Sequence, residues 1–154
     1  EPYGKPDGDV AYIEQVYLAG TQRLKFCVHE SKFYLTGCRE GGVIIICAEC
    51  ADGHGGEGFY NSLKNCGSAA ELYAQFMATP QDKTLPDQWE SQILARILMH
   101  HKVIFVSRPE MKTTIEDMKM TYAGSIGEAV AMAEGMGKHS ITVIPNGISV
   151  IVRD

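Results

Sequence analysis

An unbroken apolar run, Val43-Ile-Ile-Ile46, passes without a spacer into Cys47-Ala-Glu-Cys-Ala-Asp-Gly-His-Gly-Gly-Glu-Gly58. Apolar residues then return at helical spacing as Phe59, Tyr60 and Leu63. A continuous apolar run of this length predicts a strand buried on both faces, as in parallel sheets. Strand, glycine loop, helix is an order that points free backbone N–H groups and the positive end of a helix at an anion. Glycine at 53, 55, 56 and 58 lets the backbone take positive φ and approach a ligand closely. The same pattern also serves as a plain connection that needs flexibility, and the glycines alone do not choose between the two.

The remaining periodicities place this unit in an α/β sheet. Val10–Leu18 alternates as a strand, and Thr21–Cys38, with apolar residues at 24, 27, 28, 34 and 35, predicts a helix ended by Gly41-Gly42. Ser68-x-x-Glu71 and Ser125-x-x-Glu128 are capping boxes, each opening a helix; Ile126, Ala129, Val130 and Ala133 face inward in the second. Pro86 and Asp87 suit a first helical turn, and Trp89, Ile93 and Ile97 follow at four-residue spacing. Val103–Val106 and Ile141–Ile144 read as further buried strands, and Ile148–Val152 as a last one. Strands alternating with helices predict a layered, Rossmann-like α/β fold with a mainly parallel sheet and helices on both faces. Ligands of such sheets sit at the carboxyl ends of the strands, so loops 50–58, 107–110 and 145–147 are expected to share one rim.

Size and charge narrow the classes of function. With 154 residues and 45% hydrophobic content, one domain with a substantial core is expected. Residues 1–9, with two Pro and two Gly, read as a leader or linker, and 10–154 as the domain. A net charge of −5 without a basic cluster argues against nucleic acid and anionic membrane surfaces as partners. The longest apolar stretch, Val43–Ala48, is far short of a bilayer span. Five cysteines, an odd number, favour a reduced, cytoplasmic setting. Cys47 and Cys50 form a Cys-x-x-Cys without a second ligand pair, and no two histidines stand at metal-binding spacing, so no metal site is expected. The chain opens at Glu1 with no secretory signal and reads as a domain excised from a longer protein.

Candidate functional residues cluster at the glycine loop. His54 sits where neither strand nor helix needs an imidazole; it either closes the loop or contacts a ligand at the rim. Asp52 and Glu57 flank the loop, as an acid–base pair or, more simply, as a helix cap and a dipole partner. His100 and His101 end a helix, where the dipole favours His⁺. Trp89, the single tryptophan, is a core anchor or a site residue.

Three separated motifs carry a resemblance. Gly41-Gly-Val-Ile-Ile-Ile-Cys-Ala-Glu-Cys-Ala-Asp-Gly-His-Gly-Gly-Glu57, Pro86-Asp-Gln-Trp-Glu-Ser-Gln-Ile-Leu-Ala-Arg-Ile-Leu98 with Lys102-Val-Ile-Phe-Val-Ser107, and Val143-Ile-Pro-Asn-Gly-Ile-Ser-Val150 resemble the C-terminal domain of the nickel-dependent lactate racemases. The likeness runs from about Gly37 to Asp154. It implies part of a 2-hydroxy acid racemase or epimerase that uses a nickel-pincer nucleotide for hydride transfer at the substrate α-carbon. The groups that anchor the cofactor, bind nickel and move the proton belong to an N-terminal partner domain. This chain alone is therefore expected to hold no cofactor and to be inactive. The resemblance makes Trp89 a residue of the interdomain cleft and, with His29, a catalytic candidate; Phe26, Asp52, Gly53, His54, Gly55 and Gly56 are the candidates for binding substrate or cofactor. Relatives carry a Gln-x-x-Lys pair about a dozen residues before the glycine-glycine step; here that spacing falls on Phe26 and His29. Phe26 offers no hydrogen bond, and His29 is cationic only in part near neutral pH. The departure implies a substrate other than lactate, a shifted alignment or lost catalysis. A reading of another class also stands: a non-catalytic domain that binds a small anion or a partner domain.

Overall fold

The computed structural model describes residues 8–14 and 38–144. Five strands, β1 (Gly8–Glu14), β2 (Cys38–Cys47), β3 (Lys102–Val106), β4 (Thr121–Ala123) and β5 (Ile141–Ile144), form one sheet in the order β4-β3-β2-β1-β5. Every pairing is parallel: Ile44 stands opposite Ala11 and Val103, and Tyr12 opposite Val143. The helices are α1 (Glu57–Asn65), α2 (Ala69–Ala78), α3 (Gln88–His100), α4 (Lys112–Asp117) and α5 (Ile126–Gly135).

The apolar run of β2 is buried on both faces because helices cover both. On one face Ile44, Ile46, Val103 and Phe105 pack against Phe59 and Leu63 of α1, Leu72 and Phe76 of α2, Leu94 and Ile97 of α3 and Ile115 of α4. On the other, Val43, Ile45, Ile104 and Ala123 meet Ala129 and Ala133 of α5, whose small side chains let that helix lie close. Fully buried side chains such as Phe105 stabilise by about 1.5–3 kcal/mol each relative to exposure. The predicted α/β fold with helices on both faces is the one observed.

Local expectations fare unevenly. The serine half of both boxes forms: Ser68 Oγ accepts the Glu71 N–H and Ser125 Oγ accepts the Glu128 N–H, each at 3.2 Å, while the Glu128 carboxylate accepts the Gly124 N–H at 2.8 Å rather than that of Ser125. Strand β1 begins at Gly8 rather than Val10. Residues 38–42 were expected to end a helix, but they open β2 instead, with a register shift against β1 and Gly41 at φ 73°. Ile126, expected inward, is 46% exposed, and in β5, expected to be buried, Ile141 and Val143 are exposed. Their apolar character predicted burial, but Ile126 sits on the solvent-facing first turn of α5 and β5 pairs only with β1 among the described strands. The helix expected over most of residues 21–38, Phe26, His29, the loop 145–147 and the strand at 148–152 lie outside the described residues.

Candidate functional site

Chain direction sets the rim. All strands run parallel, so residues 48–56 after β2 and 107–108 after β3 emerge at the same, carboxyl end. Helix α3 leads back into β3 and therefore starts at that end too. A Cβ at Gly58 would lie 3.5 Å from the Pro86 carbonyl oxygen, so the start of α1 abuts the lead-in of α3. Two of the three loops expected to share a rim do so, and the third lies outside the described residues.

The loop is clamped from the β3 side. Ser107 Oγ donates to the Glu49 carbonyl at 3.1 Å, and Ala48 N–H to the Val106 carbonyl at 3.1 Å. Arg108 Nη2 donates to the carbonyls of Cys50 and Ala51, at 3.4 and 3.2 Å. Cys50, fully buried, takes φ 54°, and its carbonyl accepts the Gly53 N–H at 3.0 Å. Sequence reasoning missed Arg108, since nothing in the spacing of Ser107-Arg108 links it to residues some fifty-seven positions earlier.

Not every glycine is there for the reason expected. Gly53 and Gly55 take φ 75° and 91°, where a side chain is strained. Gly56, expected to share that need, has φ −170°, an extended backbone that any residue adopts, and caps α1 with no side-chain bond. Asp52 is exposed in the preceding turn and is not the cap. Glu57 does fall in the first turn of α1, as a dipole partner should. Gly56 itself brings no side-chain acceptor to the first N–H groups of α1.

His54 is held by its ring. The imidazole stacks on Tyr60, centroids 4.7 Å apart and 10° from parallel, and Nε2 lies 3.5 Å from Glu57 Oε1. Its Nδ1 is buried without a hydrogen-bond partner. Tyr60 in turn donates its hydroxyl to Asp117 of α4, and Lys64 Nζ bonds the Tyr60 oxygen at 3.1 Å and Asp117 at 3.0 Å. The Tyr60 hydroxyl, then Lys64, holds the Asp117 carboxyl below its ordinary range. The same contacts, Tyr60 first, raise the Lys64 ammonium.

Trp89 lies on the first turn of α3, as read from the sequence, but it is no core anchor: it is 51% exposed. With Tyr73, Gln92, Ile93 and Arg96 it lines a hollow of about 260 Å³ between α2 and α3. Among the described residues no three His, Cys, Asp or Glu side chains gather as metal ligands.

The lactate racemase C-terminal domain model matches residues 30–152. The chain belongs to that family. Two curated relatives, both lactate racemases, agree with it. The protein from Thermoanaerobacterium thermosaccharolyticum is 51% identical over 119 residues, 76% of this chain and 28% of the relative. The one from Lactiplantibacillus plantarum is 48% identical over 118 residues, 75% of this chain and 28% of the relative. The chain thus spans little more than a quarter of their length. A solved structure of the lactate racemase apoprotein from T. thermosaccharolyticum superposes with a TM-score of 0.91 at 43% identity, covering 98% of this chain and 36% of that one. The family match begins at residue 30, a few residues before the likeness read from motifs. Among the described residues no helix is long and apolar enough to cross a membrane.

Proposed function

We propose that this domain forms one wall of the substrate and cofactor cleft of a cytoplasmic, lactate racemase-like 2-hydroxy acid racemase or epimerase. The facing wall is an N-terminal domain that carries a nickel-pincer nucleotide, and that group supplies reversible hydride transfer at the substrate α-carbon. The observation that carries the reading is the placement of Trp89. A half-exposed indole at the start of α3 puts a large aromatic surface on the strand-end rim that also holds the glycine loop, where ligands of parallel sheets bind.

The chain's own residues then bind, orient and exclude water. Trp89 shields the apolar side of the substrate. The loop Asp52, Gly53, His54, Gly55 and Gly56 faces the opposite domain, with the positive end of α1 toward negative charge. His54, oriented by Tyr60, presents a ring nitrogen for a hydrogen bond or a proton. His29 takes the substrate carboxylate, and Phe26 adds apolar wall beside it.

The test is racemisation by the full-length protein loaded with its cofactor, using separate enantiomers of several 2-hydroxy acids. Trp89→Ala is expected to lower kcat/KM by about tenfold or more through lost orientation. Racemisation unaffected by Trp89→Ala would remove Trp89 from the cleft. A loaded protein that racemises no 2-hydroxy acid would leave the domain a non-catalytic binder of a small anion or of a partner domain.

A further inference from the structure

Three successive carbonyls beyond β2 accept bonds from two neighbouring side chains beyond β3. Ser107 serves Glu49, and Arg108 serves both Cys50 and Ala51 from a single nitrogen, Nη2. The Cys50 carbonyl is used twice, since it also accepts the Gly53 N–H and so closes a turn over residues 50–53. Gly53 directly precedes His54, so one short piece of fixed backbone joins the guanidinium to the imidazole. A guanidinium suits this task, because its N–H directions are set by a rigid planar fork.

Two features of this clamp lower stability. Cys50 takes φ 54°, in the left-handed region where a side chain is disfavoured. The Nε of Arg108 is buried without a hydrogen-bond partner. A clamp kept for stability alone has a simpler form one residue earlier, where the Ser107 hydroxyl bonds the Glu49 carbonyl. Backbone strain and orphaned buried donors persist where the geometry they enforce is used. What this geometry delivers is the His54 ring. Its Nδ1 is buried and its face rests on Tyr60, which leaves the Nε2 edge, beside Glu57, to meet a ligand.

We propose that Arg108 is a positioning residue of the cleft: through the carbonyls of Cys50 and Ala51 it sets the turn that aims the Nε2 edge of His54 at the substrate. This role rests on the reading of the rim as a racemase cleft. Arg108 acts through the backbone and not by contact with the reacting atoms, so its loss should misplace His54 and leave the substrate-binding walls in position.

The full-length, cofactor-loaded protein tests this with two variants. Arg108→Ala should speed amide hydrogen exchange across residues 50–56, read by mass spectrometry, while the sheet stays protected. It should lower kcat about tenfold with KM for the best 2-hydroxy acid held within about twofold, since orientation rather than binding is lost. Millimolar guanidinium ion should restore kcat saturably, and ethylammonium should restore less. Arg108→Lys keeps the charge without the planar fork and should give an intermediate kcat; it decides the matter where the alanine variant does not fold. An active parent whose kcat survives Arg108→Ala or Arg108→Lys, or falls with loop exchange unchanged, would overturn this role and leave the cleft reading standing. So would a loss of kcat that guanidinium restores no better than ethylammonium. A parent that racemises no 2-hydroxy acid would overturn both.

Discussion

The imidazole of His54 lies flat on the ring of Tyr60, 4.7 Å between centroids, and the Tyr60 hydroxyl is bonded to Asp117 on another helix. The glycine loop is therefore not loose at its centre. Its one titratable ring rests on a platform bolted between α1 and α4.

Substitutions at Tyr60 should separate the platform from the bolt. Tyr60→Phe keeps the stack and loses the bond to Asp117, at a cost of about 0.5–1.5 kcal/mol. Tyr60→Leu loses both and should cost a further 0.5–1.5 kcal/mol or so. The ring-current shift of the His54 protons should survive in the first variant and vanish in the second. Equal spectra and equal denaturation midpoints for the two variants would refute the stack.

Backbone angles predict a split among the loop glycines. Gly53→Ala and Gly55→Ala place a side chain at positive φ and should each destabilise by about 1–2 kcal/mol. Gly56→Ala, at φ −170°, should be far milder. Chemical denaturation of the three variants measures this directly, and a Gly56→Ala cost matching the other two would contradict the angles.

These glycines also show where sequence reading stops. Their presence signals a tight loop, but φ at each position depends on how Ser107 and Arg108 pull on the carbonyls of Glu49, Cys50 and Ala51, and that is tertiary. The apolar runs at Val43–Ile46 and Val103–Val106 were legible because both faces of those strands are covered, which leaves no polar alternation to blur them. Ser68 and Ser125 were legible because a cap is a bond three residues long. Strand β4, three residues with partly exposed Thr121 and Tyr122, has too little pattern to be seen, and the six-residue α4 has little more. Tyr60 read only as an apolar helix position, because its partner Asp117 is fifty-seven residues away. The exposure of Trp89 could not be read from helical spacing at all, and only the family likeness pointed to it.

Acid should loosen the fold in two windows. His101 has a folded pKa below its ordinary 6.5, chiefly through burial, so the unfolded chain binds more protons there. Its contribution is present above 6.5 and is lost as pH falls from that value through the lower folded one. Asp117, depressed by Tyr60 and Lys64, contributes above 3.8 and loses that contribution as pH falls through its folded value. Lys64 has the opposite sign: its share is present below 10.5 and is lost as pH rises through its raised folded value. Urea midpoints against pH should fall less between neutrality and mild acid in His101→Asn than in the parent. Parallel curves for the two proteins would contradict the assignment of His101.

Substrate preference in the full-length protein should depart from lactate. The motif resemblance, not the family match, which begins at residue 30, sets Phe26 and His29 at the spacing of a glutamine and a lysine, and both lie outside the described residues. A phenyl ring in place of an amide removes a hydrogen bond and adds apolar wall, which favours a larger or more apolar substrate side chain. Losing one hydrogen bond to a charged substrate costs about 1.5–3 kcal/mol, or roughly a tenfold to hundredfold fall for lactate. A bulkier 2-hydroxy acid should therefore show the higher kcat/KM in a side-by-side assay. With His29 holding the carboxylate, activity should decline as pH rises through the imidazole range, whereas His29→Lys should flatten that decline and move preference back toward lactate. Lactate as the best substrate of the unmodified protein, or a pH profile unmoved by His29→Lys, would remove Phe26 and His29 from the substrate pocket.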